Sequence, residues 1–488
     1  MRTSIVRINR RPRKKRIVIL GGGFGGVYAA LHLERMLAGQ RHVEICLVSR
    51  DNFFLFTPML HEIAASDLEI TNIVSPLRKL LRRVEVLVGD VDEIDLPNRR
   101  VLISECYRNA QRPLDYDHLV IALGSVTNFH GLPGLAELAI PMKSVHDAIR
   151  LRAQVLRNLE AANAENNSLE RRSLLTFVVA GGGFAGVETV AALNDFIREV
   201  LPFYPNLCEA MCRVVLVHSG PIILPELGHD LGRYTEKVLG RRGVEIRLNT
   251  RVSSVTQTKV TLNDGTSILS RTLVWTAGIV PSPRISSISG SKEQGRVVVN
   301  EFLQVLAWPN VWAIGDCAFV PDIRNPGKSH PPTAQHAMRE GKIVAQNIVA
   351  ALSGRPLRRF SFKTIGLLAS IGRRMGVARI FGFNFSGFFA WWMWRTIYLS
   401  KLPGLDKKIR VAFDWTLDLL FPKDVCAVYD HDHRRDFHGQ DHAMNTAGHN
   451  GDSPPSTHQS MASRMGISLT KFEPLPAERY GWANPDVG

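Results

Sequence analysis

The sequence predicts an α/β protein that contains two parallel sheets, because one strand–turn–helix pattern occurs in it twice. The first copy reads RIVILGGGFGGVYAALHLERML, and the second reads LLTFVVAGGGFAGVETVAALNDFI. Each copy passes from a short β-branched run through a glycine turn into residues with helical spacing, and a further apolar strand follows it. A lone glycine-rich turn is weak evidence, but two copies in this context predict two Rossmann-type dinucleotide-binding domains.

The glycines of each motif have separate physical roles. One allows the tight turn, one lets the backbone approach a pyrophosphate, and one lets the helix pack closely on the strand. In that order they are Gly21, Gly23 and Gly26 in the first copy and Gly181, Gly183 and Gly186 in the second. The pyrophosphate is then expected at the helix N-terminus, and glycine turns that bind no ligand are the weaker alternative.

The composition fits a globular protein, since 45% of the 488 residues are hydrophobic and 22% are charged, and the length allows roughly two to four domains. The six cysteines are scattered without a CxxC pair, which argues against a disulfide scaffold and fits a reducing compartment. The net charge is +15, and residues 1–15 form a basic arm without the apolar core of a secretory signal. We expect this arm to be solvated or to contact acidic lipid headgroups. Because no nucleic-acid-binding motif accompanies the arm, no nucleic-acid partner is predicted.

Three further strand ends narrow the fold family. One apolar strand ends in ALG at Gly124, another ends in TAG at Gly278, and GD follows a third strand at Gly315. Together with the two dinucleotide motifs, these resemble the flavoprotein reductases of the glutathione-reductase type. The resemblance covers about residues 16–355. It implies FAD at the first motif, NAD(P)H at the second, and a hydrogen bond from Asp316 to the ribityl chain of FAD.

Two segments, DNFFLFTPMLHEIAA and AQHAMREG, look like the type II NADH:quinone oxidoreductases. In that family the AQ turn lies beside the flavin ring and the quinone, which implies this place for Ala334 and Gln335. The glutamate that ends the second glycine motif lies near the family's reaction centre, and here it is Glu188. The family commonly has a second glutamine where this chain has Arg339, which can still donate a hydrogen bond to a quinone oxygen.

The resemblance implies a cofactor site in each Rossmann-type domain. The expected FAD residues are Gly21, Gly23, Phe24, Gly25, Gly26, Ser49, Arg50, Gly124, Gly315, Asp316, Ala334 and Gln335. The expected NAD residues are Gly181, Gly183, Phe184, Gly186, Glu188, His218 and Gly278. The expected catalytic residues are Glu188, Gln335 and Arg339. No metal site is predicted.

Two positions depart from the usual dinucleotide pattern. The acid expected after the second strand is replaced by Ser49 in the first domain, where Arg50 follows, and by His218 in the second domain. A carboxylate at the second position would bind a ribose 2′-hydroxyl and repel a 2′-phosphate, and His218 does neither strongly. We therefore expect NADH as the hydride donor, with NADPH left open.

The family architecture inserts the NAD domain into the FAD domain, and we divide this chain accordingly. The expected segments are a basic arm at 1–15, the first part of the FAD domain at 16–150, the NAD(P)H domain at 151–280, the second part of the FAD domain at 281–355, a membrane-associating helical region at 356–425 and a disordered tail at 426–488.

An aromatic patch follows the second dinucleotide domain. Residues 381–398 hold nine aromatics in 18 positions, whereas the chain average is 8%. Only 15 uncharged residues lie between Arg379 and Arg395, which is fewer than the roughly 20 that a spanning helix needs. The tryptophans and the basic flanks instead favour a helix that lies on a membrane surface. A second helix follows, and its predicted apolar face is formed by Ile409, Phe413, Leu417 and Leu420.

These observations predict a membrane-associated flavoenzyme that transfers a hydride from NADH to FAD and two electrons onward to ubiquinone or menaquinone. The expected lipid contacts are Trp391, Trp392, Trp394, Arg395, Tyr398 and Phe413. Without spanning helices the enzyme should not pump protons. We expect a peripheral, monotopic protein on the cytoplasmic face of the cell membrane. A core helix pair or a homodimer interface is the alternative use of the aromatic region.

Other flavoenzymes of this fold are retained as alternatives. Disulfide and sulfide:quinone reductases need cysteines beside the flavin, whereas Cys208 and Cys212 follow the helix of the second motif and Cys317 follows Asp316. A soluble ferredoxin or rubredoxin reductase would lack the aromatic patch. A membrane-bound NADH sensor with low turnover is favoured only by Arg339.

Overall fold

The computed structural model describes residues 14–106, 110–417 and 421. The predictions for most of the basic arm, for the tail and for Leu420 lie outside these residues. Within them, no helix combines the length and the apolarity that crossing a membrane requires.

Up to residue 138, the chain alternates strands with helices and short connecting pieces. The strands are β1 (Lys15–Leu20), β2 (Val43–Ser49), β3 (Phe53–Leu55), β4 (Val74–Pro76), β5 (Glu85–Asp95), β6 (Arg100–Glu105), β7 (Ala110–Asp115), β8 (His118–Ile121) and β9 (Ser125–Thr127). The helices are α1 (Phe24–Met36), α2 (Leu60–Ala64), α3 (Ile70–Ile73), α4 (Leu77–Leu80) and α5 (Leu135–Leu138).

The middle part repeats this arrangement. Its strands are β10 (Ile140–Pro141), β11 (Thr176–Ala180), β12 (Arg213–Val217), β13 (Val244–Arg247), β14 (Val252–Val255), β15 (Lys259–Leu262), β16 (Ser267–Leu269), β17 (Thr272–Trp275) and β18 (Ile279–Pro281). Its helices are α6 (Val145–Ala164), α7 (Ser168–Leu174), α8 (Phe184–Val200) and α9 (His229–Arg241).

The last part begins with short strands and ends in helices. Its strands are β19 (Lys292–Glu293), β20 (Arg296–Val298), β21 (Gln304–Val305), β22 (Trp308–Ala313), β23 (Ala318–Phe319), β24 (Gly366–Ser370), β25 (Gly376–Ile380) and β26 (Phe383–Gly387). Its helices are α10 (Ala334–Leu352), α11 (Phe388–Lys401) and α12 (Leu405–Leu417).

Two sheets carry the glycine motifs. The first has the order β21-β22-β8-β1-β2-β5-β6-β7, with a parallel centre from β22 to β5. The second has the order β10-β17-β11-β12-β13 and is parallel throughout. Because β22 pairs with β8, the chain returns to the first sheet after completing the second. The predicted α/β class with two Rossmann-type domains, one inserted in the other, is confirmed.

Burial explains why these strands lie at the centres of their sheets. Four consecutive residues of β1, Ile17 to Leu20, are fully buried, and so are most residues of β11. Strands covered on both faces read as continuous apolar runs rather than alternating ones. The two domains are joined by β9 and β18, which pair antiparallel where the chain leaves and re-enters the first domain.

The C-terminal region begins differently from its predicted helical form. Residues 366–387 form a three-stranded antiparallel sheet, β24-β25-β26, before the two helices begin. The reason is a period-two pattern in β26, where Phe383 and Phe385 alternate with Asn384 and Ser386. The predicted helices do follow, as α11 and α12.

Candidate active site

The first glycine turn leaves an open cradle at the start of α1. Gly21 has a φ of +113°, and a Cβ there would overlap the carbonyl of Ala122. A Cβ on Gly26 would overlap the carbonyl oxygen of Gly21, so α1 can lie this close to β1 only with glycine at that position. A Cβ on Gly23 would meet no atom within 4 Å, and no side chain caps the helix. These free N–H groups at a helix N-terminus fit a dinucleotide pyrophosphate.

The second glycine turn repeats this geometry at the start of α8. Gly181 has a φ of +115°, and a Cβ on Gly186 would overlap the Gly181 carbonyl oxygen. Gly183 has open space around it, as Gly23 does, and no side chain caps α8. The second cradle therefore fits a second dinucleotide. Gly278, which lies between β17 and β18, has a φ of +144°.

Aromatic and small residues back the first cradle. Phe24 packs edge-on against Phe54, with ring centroids 4.9 Å apart. A Cβ on Gly25 would meet Ile314 at 3.2 Å, so Gly25 lies where α1 packs against the returning chain. Phe184 is partly buried against the core at the corresponding position in the second domain. These residues shape the turns rather than offering polar groups to a ligand.

Ser49 and Arg50 lie differently at the end of β2. Ser49 is 5% exposed and its hydroxyl lies against Gly22, on the floor of the cradle. The Arg50 side chain points into solvent, where its Nε lies 2.9 Å from Asp90 Oδ1. Ser49 thus presents its hydroxyl at the cradle, where its predicted contact with a ribose stays a prediction, and Arg50 is held by an exposed ion pair.

Asp316 is part of a hydrogen-bond chain that joins three segments. The hydroxyl of Ser125 donates to Asp316 Oδ2 at 2.6 Å, and Lys143 Nζ donates to that hydroxyl at 2.9 Å. Burial lowers the pKa of Lys143, while the charge of Asp316 opposes this change. Ser125 follows directly after Gly124, whose φ is +63°. The segment that follows Gly124 and the turn that carries Asp316 are both predicted to bind FAD. They meet at the Asp316 carboxylate.

A buried acid positions the turn that carries Asp316. The N–H of Gly315 donates to Glu340 Oε2 at 2.7 Å, and Gly315 has a φ of +71°. Burial raises the pKa of Glu340 to about 7. Glu340 is on α10, which packs along α1, so one helix sets both the glycine cradle and the Asp316 turn.

His218 contacts the second glycine turn directly. Its Nδ1 accepts a hydrogen bond from the N–H of Gly182 at 3.1 Å. Burial lowers the pKa of His218, so the ring is neutral at pH 7 and its other nitrogen, Nε2, carries the hydrogen. The side chain at this strand end is therefore a neutral donor, which neither attracts a hydroxyl as a carboxylate does nor repels a phosphate.

Glu188 is a buried acid at the start of α8. One of its oxygens, Oε1, accepts hydrogen bonds from the Ser370 N–H at 3.1 Å and from the Trp394 indole at 3.0 Å. Burial raises the pKa of Glu188 to about 8, and the two donors and nearby Glu62 modify that rise. Glu188 therefore holds a proton over most of the neutral range.

His61 faces Glu188 without forming an ion pair. Its Nδ1 lies 3.9 Å from Glu188 Oε2. Burial lowers the pKa of His61 to about 3, so both groups are neutral near pH 7. The other ring nitrogen, Nε2, is buried and has no hydrogen-bond partner among the described residues. His61 lies within the segment DNFFLFTPMLHEIAA, whose pattern predicts no role for this residue.

A cavity of about 430 Å³ opens beside Glu188 and His61. Charged side chains dominate its walls, and the cationic hairpin between β24 and β25 covers one side. The lining residues are His61, Glu62, Asp67, Glu188, Ala192, Asp195, Glu199, Ser370, Gly372, Arg373, Arg374, Trp391 and Arg395. Such a lining suits water and protons better than it suits an isoprenoid tail.

Ala334 and Gln335 begin α10, away from this cavity. Gln335 Nε2 donates to the carbonyl of Gly366 at 3.4 Å, and neither Gln335 nor Arg339 is among the residues that line the cavity. Gly366 and Ser370 are the two ends of β24. Three residues lie between them, so the two ends are four strand steps, about 13 Å, apart. One strand thus contacts two of the three predicted catalytic residues, Gln335 at its start and Glu188 at its end.

Arg339 is stacked on an aromatic ring and also reaches the backbone of Gln335. Its guanidinium carbon lies 3.9 Å from the centre of the Phe362 ring. Burial lowers the pKa of Arg339. Its Nη1 donates only to the backbone carbonyl of Gln335, at 2.8 Å. The second family glutamine is therefore replaced by a cation that an aromatic ring holds in place.

The predicted lipid contacts divide into exposed and buried residues. Trp392 is 51% exposed and Phe413 is 63% exposed, whereas Trp391 and Tyr398 are partly buried. Trp394 is a correction to the prediction, because it is 1% exposed and its indole is hydrogen-bonded to Glu188.

Arg395 also faces inward. It lies between two indoles, with its guanidinium carbon 4.2 Å from the Trp391 ring centre and 4.5 Å from that of Trp415. Arg395 lines the cavity beside Glu188. The aromatic run thus supplies both an outer apolar surface and one wall of the candidate site.

Two family models match the sequence. Residues 15–341 match the pyridine nucleotide-disulphide oxidoreductases, and residues 365–424 match the NDH2 C-terminal domain. The first match covers both glycine cradles and Asp316, and the second begins just before β24. No metal-binding group of three or more His, Cys, Asp or Glu side chains occurs among the described residues.

Proteins from several organisms resemble this chain over more than four fifths of its length. The type II NADH:quinone oxidoreductase Ndh of Mycobacterium tuberculosis is 34% identical over 84% of this chain and 89% of its own. A probable NADH dehydrogenase of Dictyostelium discoideum is 32% identical over 86% of this chain and 94% of its own. The structure of Plasmodium falciparum NDH2 in complex with NADH superposes with a TM-score of 0.79, at 22% identity, over 85% of this chain and 100% of that one. The chain therefore belongs to the type II NADH:quinone oxidoreductases, the family that its motifs resemble.

Proposed function

We propose that this protein oxidises NADH and reduces a quinone, with FAD bound in the first cradle and NADH in the second. The observation that carries the proposal is the pair of open glycine cradles, with the buried acid Glu188 at the start of the second helix. FAD, when bound, accepts a hydride from NADH and passes two electrons to the quinone. The overall reaction consumes one proton, because NADH and a quinone yield NAD⁺ and a quinol.

The residues of the chain bind, orient and supply that proton. Gly23 and Gly183 leave room for the two pyrophosphates, and Asp316, fixed by Ser125, orients the ribityl chain. Glu188, protonated near pH 7, is the proton donor that the quinone oxygen needs. Gln335, at the other end of β24, is proposed to hydrogen-bond the flavin ring or the quinone.

The cysteines argue against the sulfide:quinone alternative. Cys317 is fully buried, and its thiol donates to the carbonyls of Ile314 and Ile121. Burial raises the pKa of this thiol to about 12. It is therefore an inert thiol rather than a nucleophile. No cysteine of the described residues lines the cavity beside Glu188.

The direct test of the function uses the purified, FAD-loaded protein. NADH oxidation should be slow alone and rise severalfold or more when a ubiquinone or menaquinone analogue is added. An NADH sensor would reduce its flavin once and then stop, and sulfide should not replace NADH. Flavin reduction without any quinone-dependent flux would contradict the proposed reaction.

We propose that the outer face of α11 and α12 lies on a membrane surface, on the side where NADH is available. The largest exposed apolar side chains of this region are Phe381, Phe383, Phe388, Phe389, Trp392, Leu405, Ile409, Phe413 and Phe421. Large apolar side chains exposed together in one region are typical of an interaction site with a membrane or another protein. A homodimer that covers this face is the competing arrangement.

Phe413→Glu should reduce membrane binding without affecting the fold. Phe413 is 63% exposed on α12, so a carboxylate there adds a charge to the lipid-facing side but creates no cavity. We expect at least a tenfold loss of binding to anionic liposomes in a flotation assay. Leu169→Glu is the matched control, since Leu169 is also 63% exposed but lies on α7. Equal flotation of both variants, with Phe413→Glu turning a dimer into a monomer, would favour the homodimer instead.

His218→Asp should sharpen the preference for NADH over NADPH. The carboxylate would accept hydrogen bonds from the ribose 2′-hydroxyl and repel a 2′-phosphate, whereas the neutral histidine does neither. We expect the ratio of kcat/KM for NADH to that for NADPH to rise about tenfold or more, chiefly through KM for NADPH. His218→Asn serves as the uncharged control. An unchanged ratio would place the 2′ group away from β12.

A further inference from the structure

Two buried carboxylates in the candidate site are each held by a tryptophan from a different C-terminal helix. Trp394 of α11 donates its indole N–H to Glu188 Oε1 at 3.0 Å. Trp415 of α12 donates its indole N–H to Glu62 Oε2 at 3.0 Å. All four side chains are less than 9% exposed, so each hydrogen bond is shielded from water.

The two tryptophans pack against each other. Their ring centroids are 6.4 Å apart, and the Arg395 guanidinium lies over the Trp415 ring. The Trp394 ring also packs on the His61 ring, with the two centroids 5.6 Å apart. His61 is the residue that faces Glu188. Further polar contacts hold α12 on the first domain, from Asn72 to Asp414 and from Lys79 to Asp406.

We propose that Trp394 and Trp415 are positioning residues that hold Glu188 and Glu62 as a coupled acid pair, so that the C-terminal helices set the proton supply for quinone reduction. The proposal rests on the proposed role of Glu188. Its physical basis is that a hydrogen bond to a carboxylate stabilises the ionised form. The charge on Glu62 has the opposite effect on Glu188, because two nearby carboxylates resist ionising together.

Other charged groups face the cavity beside Glu188, and they are the same in the wild type and in both tryptophan variants. From the first domain and from α8 these are Asp67, Asp195 and Glu199. From the hairpin and α11 they are Arg373, Arg374 and Arg395, with Tyr398 next to the Trp394 ring. Trp394→Phe and Trp415→Phe keep all of these side chains and an aromatic ring at each position. A change in the titration of Glu188 therefore reports on the loss of the indole donors.

The two tryptophans should shift the titration of Glu188 in opposite directions. Trp394→Phe removes a donor from Glu188 itself, so its carboxylate becomes harder to form and its apparent pKa rises. Trp415→Phe removes a donor that stabilises the charge on Glu62, and that charge is what opposes the ionisation of Glu188. The apparent pKa of Glu188 then falls. Each shift should be about one pH unit, the scale of one hydrogen bond to a charged group.

The experiment follows the alkaline limb of quinone-dependent turnover against pH in the FAD-loaded full chain. The limb should move up in Trp394→Phe and down in Trp415→Phe. Trp275→Phe is the matched control: its buried indole donates at 2.8 Å to the backbone carbonyl of Asn128, an acceptor that does not ionise. A merely structural loss would lower turnover in all three variants without moving the limb, and that result would overturn the proposal.

A second readout separates this proposal from the proposed function. The infrared band of the protonated Glu188 carboxyl, identified by its loss in Glu188→Gln, can be followed against pH without turnover. Opposite shifts of this band support the indole pairing even if Glu188→Gln keeps its quinone activity, which would remove only the catalytic role. If either variant fails to retain FAD, the indole NMR signals of the ¹⁵N-labelled wild-type protein are followed against pH instead. A Trp394 indole signal that does not titrate together with Glu188 would overturn the pairing.

Discussion

Gly26→Ala should yield a protein without bound FAD. The added methyl group would overlap the backbone carbonyl of Gly21, and a backbone atom cannot move aside as a flexible side chain can. Either α1 shifts away from β1 or the turn opens, and both changes remove the N–H groups that would bind the pyrophosphate. We expect absorbance from bound flavin to fall to background and the free energy of unfolding to drop by about 1–3 kcal/mol.

Two other glycines provide the controls for this loss. Gly186→Ala makes the same overlap with Gly181 in the second domain. That variant should stay yellow and be reduced by dithionite but not by NADH. Gly23→Ala meets no atom within 4 Å, so it should keep its thermal stability while binding FAD more weakly. A yellow Gly26→Ala protein with normal NADH reduction would contradict the assignment of the first cradle to FAD.

The parts of the fold that the sequence predicts are those with local causes. Each glycine turn is fixed by contacts within a few residues, such as Gly26 against Gly21, so motif spacing is enough to identify it. The exposed stripe of α12 also follows from spacing, since Ile409 and Phe413 are both more than 60% exposed. The family resemblance adds the return of the chain to the first sheet.

The candidate site depends instead on contacts between distant residues, which no local pattern contains. Trp394 and Glu188 are 206 positions apart, and Trp415 and Glu62 are 353 apart. Trp394 also lies in an aromatic run whose composition indicates a lipid-facing surface. Composition alone therefore does not predict that this one tryptophan points inward. Only the helical spacing from Ala390 to Trp394, both buried while Trp392 is exposed, could have separated the two faces of α11.

Glu188→Gln should lower quinone-dependent turnover about a hundredfold or more, the range that loss of a positioned proton donor produces. Glutamine keeps the shape of the side chain and still accepts the Trp394 hydrogen bond, so FAD should stay bound. Flavin reduction by NADH under anaerobic conditions should proceed at close to the normal rate, because that step transfers a hydride and needs no acid. Glu137→Gln is the control, since Glu137 is an exposed acid on α5.

The same variant should change how stability depends on pH. Burial raises the pKa of Glu188 from 4.5 to about 8. Between those values Glu188 holds a proton in the folded protein that it has released in the unfolded chain, so its contribution to stability falls as pH rises through that window and levels off above it. Glutamine does not ionise, and the thermal midpoint of Glu188→Gln should therefore fall less than that of the wild type between pH 5 and pH 8. Parallel pH dependence, together with normal quinone turnover, would mean that Glu188 is already ionised in the folded enzyme and is not the proton donor.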